Sequence, residues 1–278
     1  MKYTQEKFTG ERALFNVNDL EIYHSVFEDG ESPLKESRDL YLEKDVFKWK
    51  YPLWYCDNVE VKDCMFYDTA RAGIWYTNHL KVTDTMIEAP KNFRKCCNVV
   101  LDNVYISNAE ETLWNCSDVE MYNVNARGPY FAMGLKNAKI EKLSLDGNYP
   151  FDGAENILVR NSRLMSKDAF WNCKNITIED SYIAGEYFGW NSENITLKNC
   201  TVESLQGFCY IKNLKLIDCE LIDTTLGFEY STVDAVVKGE IASIKNPYES
   251  TIRAGSIGEI ILQDDKIDVS KVRIITEE

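Results

Sequence analysis

The feature that most constrains the fold of this chain is a repeat of 19 to 21 residues. Its pattern, Asn-apolar-x-apolar-x-(Asp/Asn)-small-x-apolar, is clearest at residues 175–183 and again 19 residues later at 194–202. The same register passes through one set of positions, the Asn column: Asp19, Asp39, Asn58, His79, Asn98, Asp118, Asn137, Asn156, Asn175, Asn194 and Asn213. Self-similarity at a fixed period of this length is typical of solenoid proteins.

Two apolar columns follow each member of the Asn column. One and three positions after it stand apolar residues such as Ile176 and Ile178, and this alternation with a period of two predicts a β-strand. Five positions after it most copies carry Asp or Asn, for example Asp180 and Asn199, which predicts a bend. Eight positions after it a second apolar column, which includes Ile183, predicts a second strand.

These columns predict a parallel β-helix. The repeat has no helical periodicity and lacks the leucine-asparagine pattern of a leucine-rich repeat, so other solenoids of this repeat length do not fit. Amide side chains stacked from coil to coil would form a hydrogen-bonded Asn ladder. We predict one domain over residues 1–278, with an amino-terminal cap at 1–9, regular coils at 10–241, and irregular carboxy-terminal coils or a cap at 242–278.

Three segments also resemble a known family. Gly-Glu-Arg-Ala-Leu-Phe at 10–15, Lys-Asp-Ala-Phe-Trp-Asn-Cys at 167–173 and Gly-Glu-Tyr-Phe-Gly-Trp at 185–190 resemble an uncharacterised bacterial domain-of-unknown-function family of right-handed β-helix proteins. The resemblance covers essentially the whole chain. It implies an all-β, single-stranded right-handed parallel β-helix of the pectin-lyase-like class, with about 12 coils at this repeat length.

The resemblance leaves the activity open, because the class holds pectate lyases, polygalacturonases, other glycan enzymes and inert scaffolds. A polygalacturonase-like site would need a Gly-His-Gly histidine, and neither His24 nor His79 is flanked by glycine. A pectate-lyase-like site would need an Arg-x-x-Pro pattern, which Arg127-Gly128-Pro129 does not match. No catalytic signature therefore transfers.

The amino-acid composition limits the classes of partner that this chain is expected to bind. The 45 acidic and 31 basic residues give a net charge of −14, which opposes binding to nucleic acid. The amino terminus lacks an apolar signal core, and no apolar run approaches the ~20 residues of a membrane helix. Nine cysteines, an odd count, favour reduced thiols, and they lack the spacing of a zinc site. We predict a cytoplasmic chain with no membrane partner, no metal and no cofactor. The sequence leaves the oligomeric state open.

The third side of each predicted coil carries a row of aromatic residues. Five of the six tryptophans stand four residues before the Asn column, where we expect outward side chains: Trp54, Trp75, Arg94, Trp114, Trp171 and Trp190 share these positions. Seven residues before the Asn column stand Glu111, Tyr130, Tyr149, Asp168 and Tyr187. One interpretation is a sugar-binding surface, because aromatic faces stack on pyranose rings and acids bond hydroxyls. The other is that the tryptophans stack on one another, with Arg94 between Trp75 and Trp114.

A catalytic site would need converging acids. Glu111 and Asp168 share a column but lie three predicted coils apart, roughly 14 Å at the spacing of neighbouring strands, beyond the roughly 5 to 9.5 Å of paired glycosidase carboxylates. Asp152, Asp168 and Glu186 near Lys167 form a better candidate cluster, although ordinary surface salt bridges would explain them too. We predict a carbohydrate-interacting β-helix that is either a glycan hydrolase or lyase or only a binder. The alternative is a non-catalytic scaffold.

Overall fold

The computed structural model describes residues 1–277, which form two compact units, Met1–Asp146 and residues 147–277. Each unit is built from strands that pair in parallel with the equivalent strands one repeat away. The predicted parallel β-helix is therefore confirmed, and the units together make about 14 turns where the sequence predicted about 12. The prediction of a single domain with terminal caps stays a prediction.

Most coils of the first unit contain one strand of six or more residues, followed by a two-residue strand. The strands are β1 (Lys2–Thr4), β2 (Lys7–Phe8), β3 (Asn18–Tyr23), β4 (Val26–Phe27), β5 (Arg38–Glu43), β6 (Val46–Phe47), β7 (Leu53–Trp54), β8 (Asp57–Lys62), β9 (Met65–Phe66), β10 (Ile74–Trp75), β11 (Asn78–Thr83), β12 (Met86–Ile87), β13 (Cys97–Asp102), β14 (Tyr105–Ile106), β15 (Ser117–Arg127) and β16 (Lys136–Asp146). A single 3-10 turn spans Asp68–Ala70. The predicted cap at 1–9 supplies β1 and β2, which pair in parallel with β3 and β4.

The second unit repeats the arrangement. Its strands are β17 (Glu155–Arg160), β18 (Arg163–Met165), β19 (Asp168–Ala169), β20 (Lys174–Glu179), β21 (Tyr182–Gly185), β22 (Tyr187–Phe188), β23 (Glu193–Lys198), β24 (Thr201–Ser204), β25 (Lys212–Ile222), β26 (Val233–Lys245), β27 (Ser250–Ile261) and β28 (Val272–Thr276), with a 3-10 turn at Val269–Lys271. The predicted segment 242–278 continues the parallel pairing through β27 and β28, and its last residue, 278, lies outside the described residues. Among residues 1–277, no helix has the length and apolar character needed to cross a membrane.

The registers match the repeat in the sequence. Leu20 pairs with Leu40, and Leu40 pairs with Val59, in the first unit. Ile157 pairs with Ile176, and Ile176 pairs with Ile195, in the second. Positions one repeat apart are thus direct neighbours, as the sequence predicted.

The inward columns form the core of each unit. Large aromatic rings lie directly over one another, as in Phe27 on Phe47 at 4.7 Å between centroids and Phe151 on Phe170 at 4.7 Å. All four side chains are at most 2% exposed. Complete burial of one such side chain is worth about 1.5–3 kcal/mol, so the stack is a main source of stability.

The amide ladder is present in both units. Asn58 donates to Asp39 at 2.5 Å in the first unit. In the second unit Asn175 donates to Asn156 at 2.8 Å, and Asn194 donates to Asn175 at 2.9 Å. Every member of the Asn column also has a left-handed backbone, with φ between 50° and 63°. Asn and Asp tolerate this conformation better than other non-glycine residues, which explains why they predominate at these positions.

Small polar and thiol side chains fill the bends. Each accepts a hydrogen bond from a backbone N–H of the preceding coil, as Thr77 does from Cys56 at 3.2 Å and Ser192 does from Cys173 at 2.9 Å. Cys116 plays the same part, because its Sγ accepts from the Cys96 N–H at 3.4 Å. The cysteines at these positions therefore have a structural role.

The third side of the coils contains little regular strand. Strands there are only two residues long, as in β7 and β10, and many residues have positive φ. Even buried Phe93 and Phe151 are left-handed, at 53° and 63°. Leu53 and Phe93, the residues before Trp54 and Arg94, are 0% exposed and lie in the core.

Candidate functional site

In the first unit the tryptophans stack on one another. Trp54 lies parallel to Trp75 with centroids 5.0 Å apart, and Arg94 lies between Trp75 and Trp114 at 4.7 and 4.6 Å from the two rings. Each indole N–H donates to a carbonyl oxygen of the next coil; Trp114, for example, donates to Tyr130 at 2.6 Å. The three rings are half-buried, so the stack covers the core and leaves few ring faces free.

Glu111 is part of this stack and not of an acid pair. Its carboxylate accepts from Arg94 at 2.7 Å and lies 3.3 Å from the Lys91 ammonium. A carboxylate held between two cations is suited to fixing the guanidinium over the indole rings. Its geometry supports a structural role for Glu111.

The second unit brings three of the predicted residues together. Asp168 follows Lys167 directly, and the Lys167 ammonium lies 3.4 Å from the Glu186 carboxylate. Tyr149 donates a hydrogen bond to the Asp168 carboxylate. Burial raises the pKa of Asp168, against the lowering effect of Lys167, and Glu186 raises it further. Lys167 and Glu186 are about half exposed, whereas Asp168 is only 3% exposed.

The burial of Asp168 corrects the expectation that its side chain faces solvent. Tyr130 and Tyr149, at the same position of earlier coils, have positive φ, but Asp168 lies in the extended strand β19, where it pairs with Tyr187 of β22. Near this pairing, the backbone of Gly185 approaches that of Ser166 in the preceding coil. Only glycine fits there, because a Cβ on Gly185 would lie 1.5 Å from the Ser166 carbonyl oxygen. In this coil the Asp168 side chain is covered by its neighbours, Tyr149 among them.

Asp152 does not join the cluster as predicted. Its carboxylate accepts a hydrogen bond from Asn172 at 2.8 Å, and Asn191 donates in turn to Asn172 at 2.8 Å. These three residues form a second amide ladder. Its geometry supports a structural role for Asp152.

Two buried polar atoms near Asp168 have no hydrogen-bond partner. They are Ser166 Oγ and Trp171 Nε1. Trp190 follows the rule of the other indoles and donates to Gln206 at 3.1 Å, so Trp171 is the exception. Unpaired buried polar groups are uncommon, because each costs about 1–3 kcal/mol.

Aromatic rings surround these groups. Trp171 stacks on Trp190 with centroids 5.5 Å apart, while Tyr149 meets Trp171 edge-on at 6.2 Å and Tyr187 meets Trp190 edge-on at 5.2 Å. We call this surface the Asp168 face. It consists of Tyr149, Lys167, Asp168, Trp171, Glu186, Tyr187 and Trp190.

A row of tyrosines escaped the sequence analysis. Tyr210, Tyr230 and Tyr248, the tyrosine ladder, contact one another with centroids 5.8 and 5.4 Å apart, and Tyr210 also lies 5.7 Å from Trp190. Tyr210 stands three residues before the Asn column, where Asn172 stands in an earlier coil. A large ring at a position that carries Asn in the two preceding coils, at 172 and 191, was the signal that could have identified it.

Among residues 1–277, no three His, Cys, Asp or Glu side chains are grouped so as to hold a metal ion. The side chains of the Asp168 face offer a buried acid, an ion pair, hydroxyl groups and aromatic rings.

Known proteins add information on family and fold. No curated protein matches this sequence. Two solved structures of the Streptococcus pneumoniae surface adhesin PfbA are similar to it at 9% identity; one covers 99% of this chain and 90% of that chain with a TM-score of 0.39, the other 98% and 83% with 0.38. Similarity at this level says nothing about what the chain does. A family model described as protein of unknown function (DUF3737) matches residues 1–275 and confirms the family resemblance found in the sequence. The chain belongs to the DUF3737 family.

Proposed function

We propose that the second unit binds a carbohydrate at the Asp168 face. The observation that carries this proposal is the pair of buried polar atoms without a hydrogen-bond partner, Ser166 Oγ and Trp171 Nε1, which accompany the buried Asp168 and its neighbouring aromatic rings. Sugar hydroxyls both donate and accept hydrogen bonds, and the C–H faces of a pyranose pack on aromatic side chains.

The charges of the face favour a neutral sugar. Lys167 and Glu186 neutralise each other at 3.4 Å, and the carboxylate of Asp168 opposes an anionic ligand. A carboxylate also accepts hydrogen bonds from hydroxyl groups. An anionic sugar would gain little electrostatic attraction at this face, because the Lys167 ammonium is already paired with Glu186.

Glycan binding is tested with a panel of neutral oligosaccharides by calorimetry. Trp171→Phe removes the indole N–H together with the five-membered ring and keeps one aromatic ring, and Asp168→Asn keeps the size of the side chain and removes its charge. Both should weaken binding about tenfold, whereas Trp54→Phe in the first unit should leave it unchanged. A panel that does not bind, or equal affinity in all four proteins, would contradict the proposal.

Glycan processing is the second candidate, because an acid of raised pKa beside Glu186 is suited to general acid catalysis. Turnover of a bound oligosaccharide that is lost in Asp168→Asn would establish an enzyme. Binding without turnover would leave a lectin-like protein. A folded chain that does neither would be the scaffold of the alternative interpretation.

We also propose a cytoplasmic location, which the nine free cysteines support. The glycan would then be an intracellular one.

A further inference from the structure

The tyrosine ladder extends the aromatic surface beyond the Asp168 face. Tyr210 is 46% exposed and Tyr248 43% exposed. Neighbouring rings are tilted by 39° and 42°, so they do not cover one another as the stacked tryptophans of the first unit do. Each ring therefore keeps part of its face open to a ligand.

The fold does not require these rings. Tyr210 and Tyr230 have positive φ, 59° and 51°, a conformation that disfavours a side chain with a bulky ring. The equivalent positions of earlier coils in the same unit are Asn172 at 54°, Asn191 at 55° and Gly153 at 69°, which tolerate it better. Asn or Gly would serve the coil at least as well as tyrosine at positions 210 and 230, so the backbone does not require these rings.

The polar groups beside Tyr210 are paired. Glu229 is 7% exposed and lies 2.8 Å from the Lys245 ammonium, and Gln206 donates to the same carboxylate at 3.5 Å. At the other end of the ladder, Tyr248 lines a pocket with Asp264, Asp265, Lys266 and Asp268, whose excess of carboxylates opposes an anionic ligand. A neutral sugar chain is favoured over an anionic polymer.

We propose that the tyrosine ladder is a row of sugar-stacking subsites, and that the ligand is an unbranched chain of neutral pyranoses running along it. Successive rings are one coil apart, about 4.8 Å at the spacing of neighbouring strands, which is comparable to the length of one pyranose unit in an extended chain. Trp190 links the ladder to the Asp168 face. This inference rests on the proposed function and adds the length and shape of the ligand.

The test is the dependence of affinity on chain length, measured by calorimetry with β-linked gluco-, xylo- and manno-oligosaccharides from disaccharide to hexasaccharide. Affinity of the unchanged protein should rise with each added sugar until the ladder is covered. Tyr230→Asn should lower the affinity of the hexasaccharide about tenfold and leave that of the disaccharide unchanged. Because Asn occupies the equivalent position elsewhere, this variant should fold at least as stably, which a thermal melt checks.

The matched control is Tyr76→Asn in the first unit, at the same position of its coil with φ of 55°. It should not change the affinity for any oligosaccharide. Binding that is independent of length, or a hexasaccharide affinity that survives in Tyr230→Asn, would overturn the ladder while the Asp168 face stands. Binding only to proteins, with no oligosaccharide bound, would overturn both proposals.

Discussion

Asp45 is a fully buried carboxylic acid in the first unit, at 0% exposure. One of its oxygens accepts from the Ser25 N–H at 2.7 Å, and the other, Oδ2, has no partner. Burial raises its pKa to about 7, and the nearby Glu43 adds to the rise, while the backbone donors oppose it. Ser25, Cys64 and Thr85 fill the same bend in other coils without bringing a charge.

This acid makes stability depend on pH. Since the pKa of Asp45 is higher in the folded chain than the ordinary value of 3.8, the folded state holds the proton more tightly. The stabilisation is complete below about pH 4 and is lost as the pH rises through about 7, at a total cost of about 4 kcal/mol. Urea unfolding of the first unit at pH 5 and pH 8 should show about 2.7 kcal/mol of this loss, since the rest occurs below pH 5. Asp45→Asn should abolish the difference and be more stable than the unchanged protein at pH 8.

The matched control is Asp63→Asn, which changes an exposed aspartate of a neighbouring coil. It should leave the difference in unfolding free energy between the two pH values as it is. If Asp45→Asn keeps the full pH dependence, the buried carboxylate is not its source.

Individual residues also show where sequence reasoning stops. The periodic apolar residues predicted the core correctly. Phe93, Tyr210 and Lys95, however, have left-handed backbones that their residue types do not indicate. Asp168 was expected outside and is buried, because its coil is extended where Tyr149 of the preceding coil is left-handed. Local conformation at these points is imposed by the neighbouring coils, so it cannot be read from one coil alone.

A coil is the element on which the fold is built, and the Asn ladder joins each coil to the next. Asn175 makes two ladder hydrogen bonds, donating to Asn156 at 2.8 Å and accepting from Asn194 at 2.9 Å, and its φ is 57°. It therefore serves both the contact between coils and the bend within its own coil.

Two substitutions separate these contributions. Asn175→Ala loses both hydrogen bonds and places a Cβ without local bonding in the left-handed region, which should cost about 2 kcal/mol. Asn175→Gly loses the same bonds and keeps the backbone freedom, so about 1 kcal/mol is expected. The measurement is the free energy of unfolding in urea, and equal losses in the two variants would show that the left-handed backbone contributes nothing.

Elements were more predictable than sites. A register that is repeated in every coil, such as the pairing of Ile157 with Ile176, gives many independent indications of one architecture. The candidate site depends on departures from that register, such as the extended strand at Asp168, and a departure occurs once. The amide ladder was therefore foreseen, and the unpaired Trp171 N–H was not.

At the scale of the whole molecule, each coil contacts mainly its neighbours, so stability should be approximately a sum over coils and their interfaces. Deleting residues 175–193, one repeat of 19 residues, joins Lys174 to Asn194 and lets Ile157 pair with Ile195 in place of Ile176. We expect a folded β-protein with a cooperative thermal transition by circular dichroism and a lower unfolding free energy.

Removal of about half a coil, residues 175–184, is the control. After this deletion, the residues from Gly185 onward would follow Lys174 directly and occupy the place of strand β20. Their apolar pattern would then be out of register with the coils on both sides. A one-residue slip already sends every side chain of a strand to the opposite face, and this deletion should give unfolded or insoluble protein. Equal solubility and equal melting behaviour of the two deletions would refute the stacked arrangement.

Thr77, Ser192 and Cys116 accept the same kind of hydrogen bond in equivalent bends, and this explains why the chain contains many cysteines. What each bend demands is a compact side chain with a lone pair aimed at the coil before it, and oxygen meets that demand as well as sulfur. The abundance of cysteine therefore reflects the steric and hydrogen-bonding requirements of the bends, which serine could also satisfy. A cysteine-rich composition in other members of such a family would, by the same reasoning, be no sign of redox chemistry.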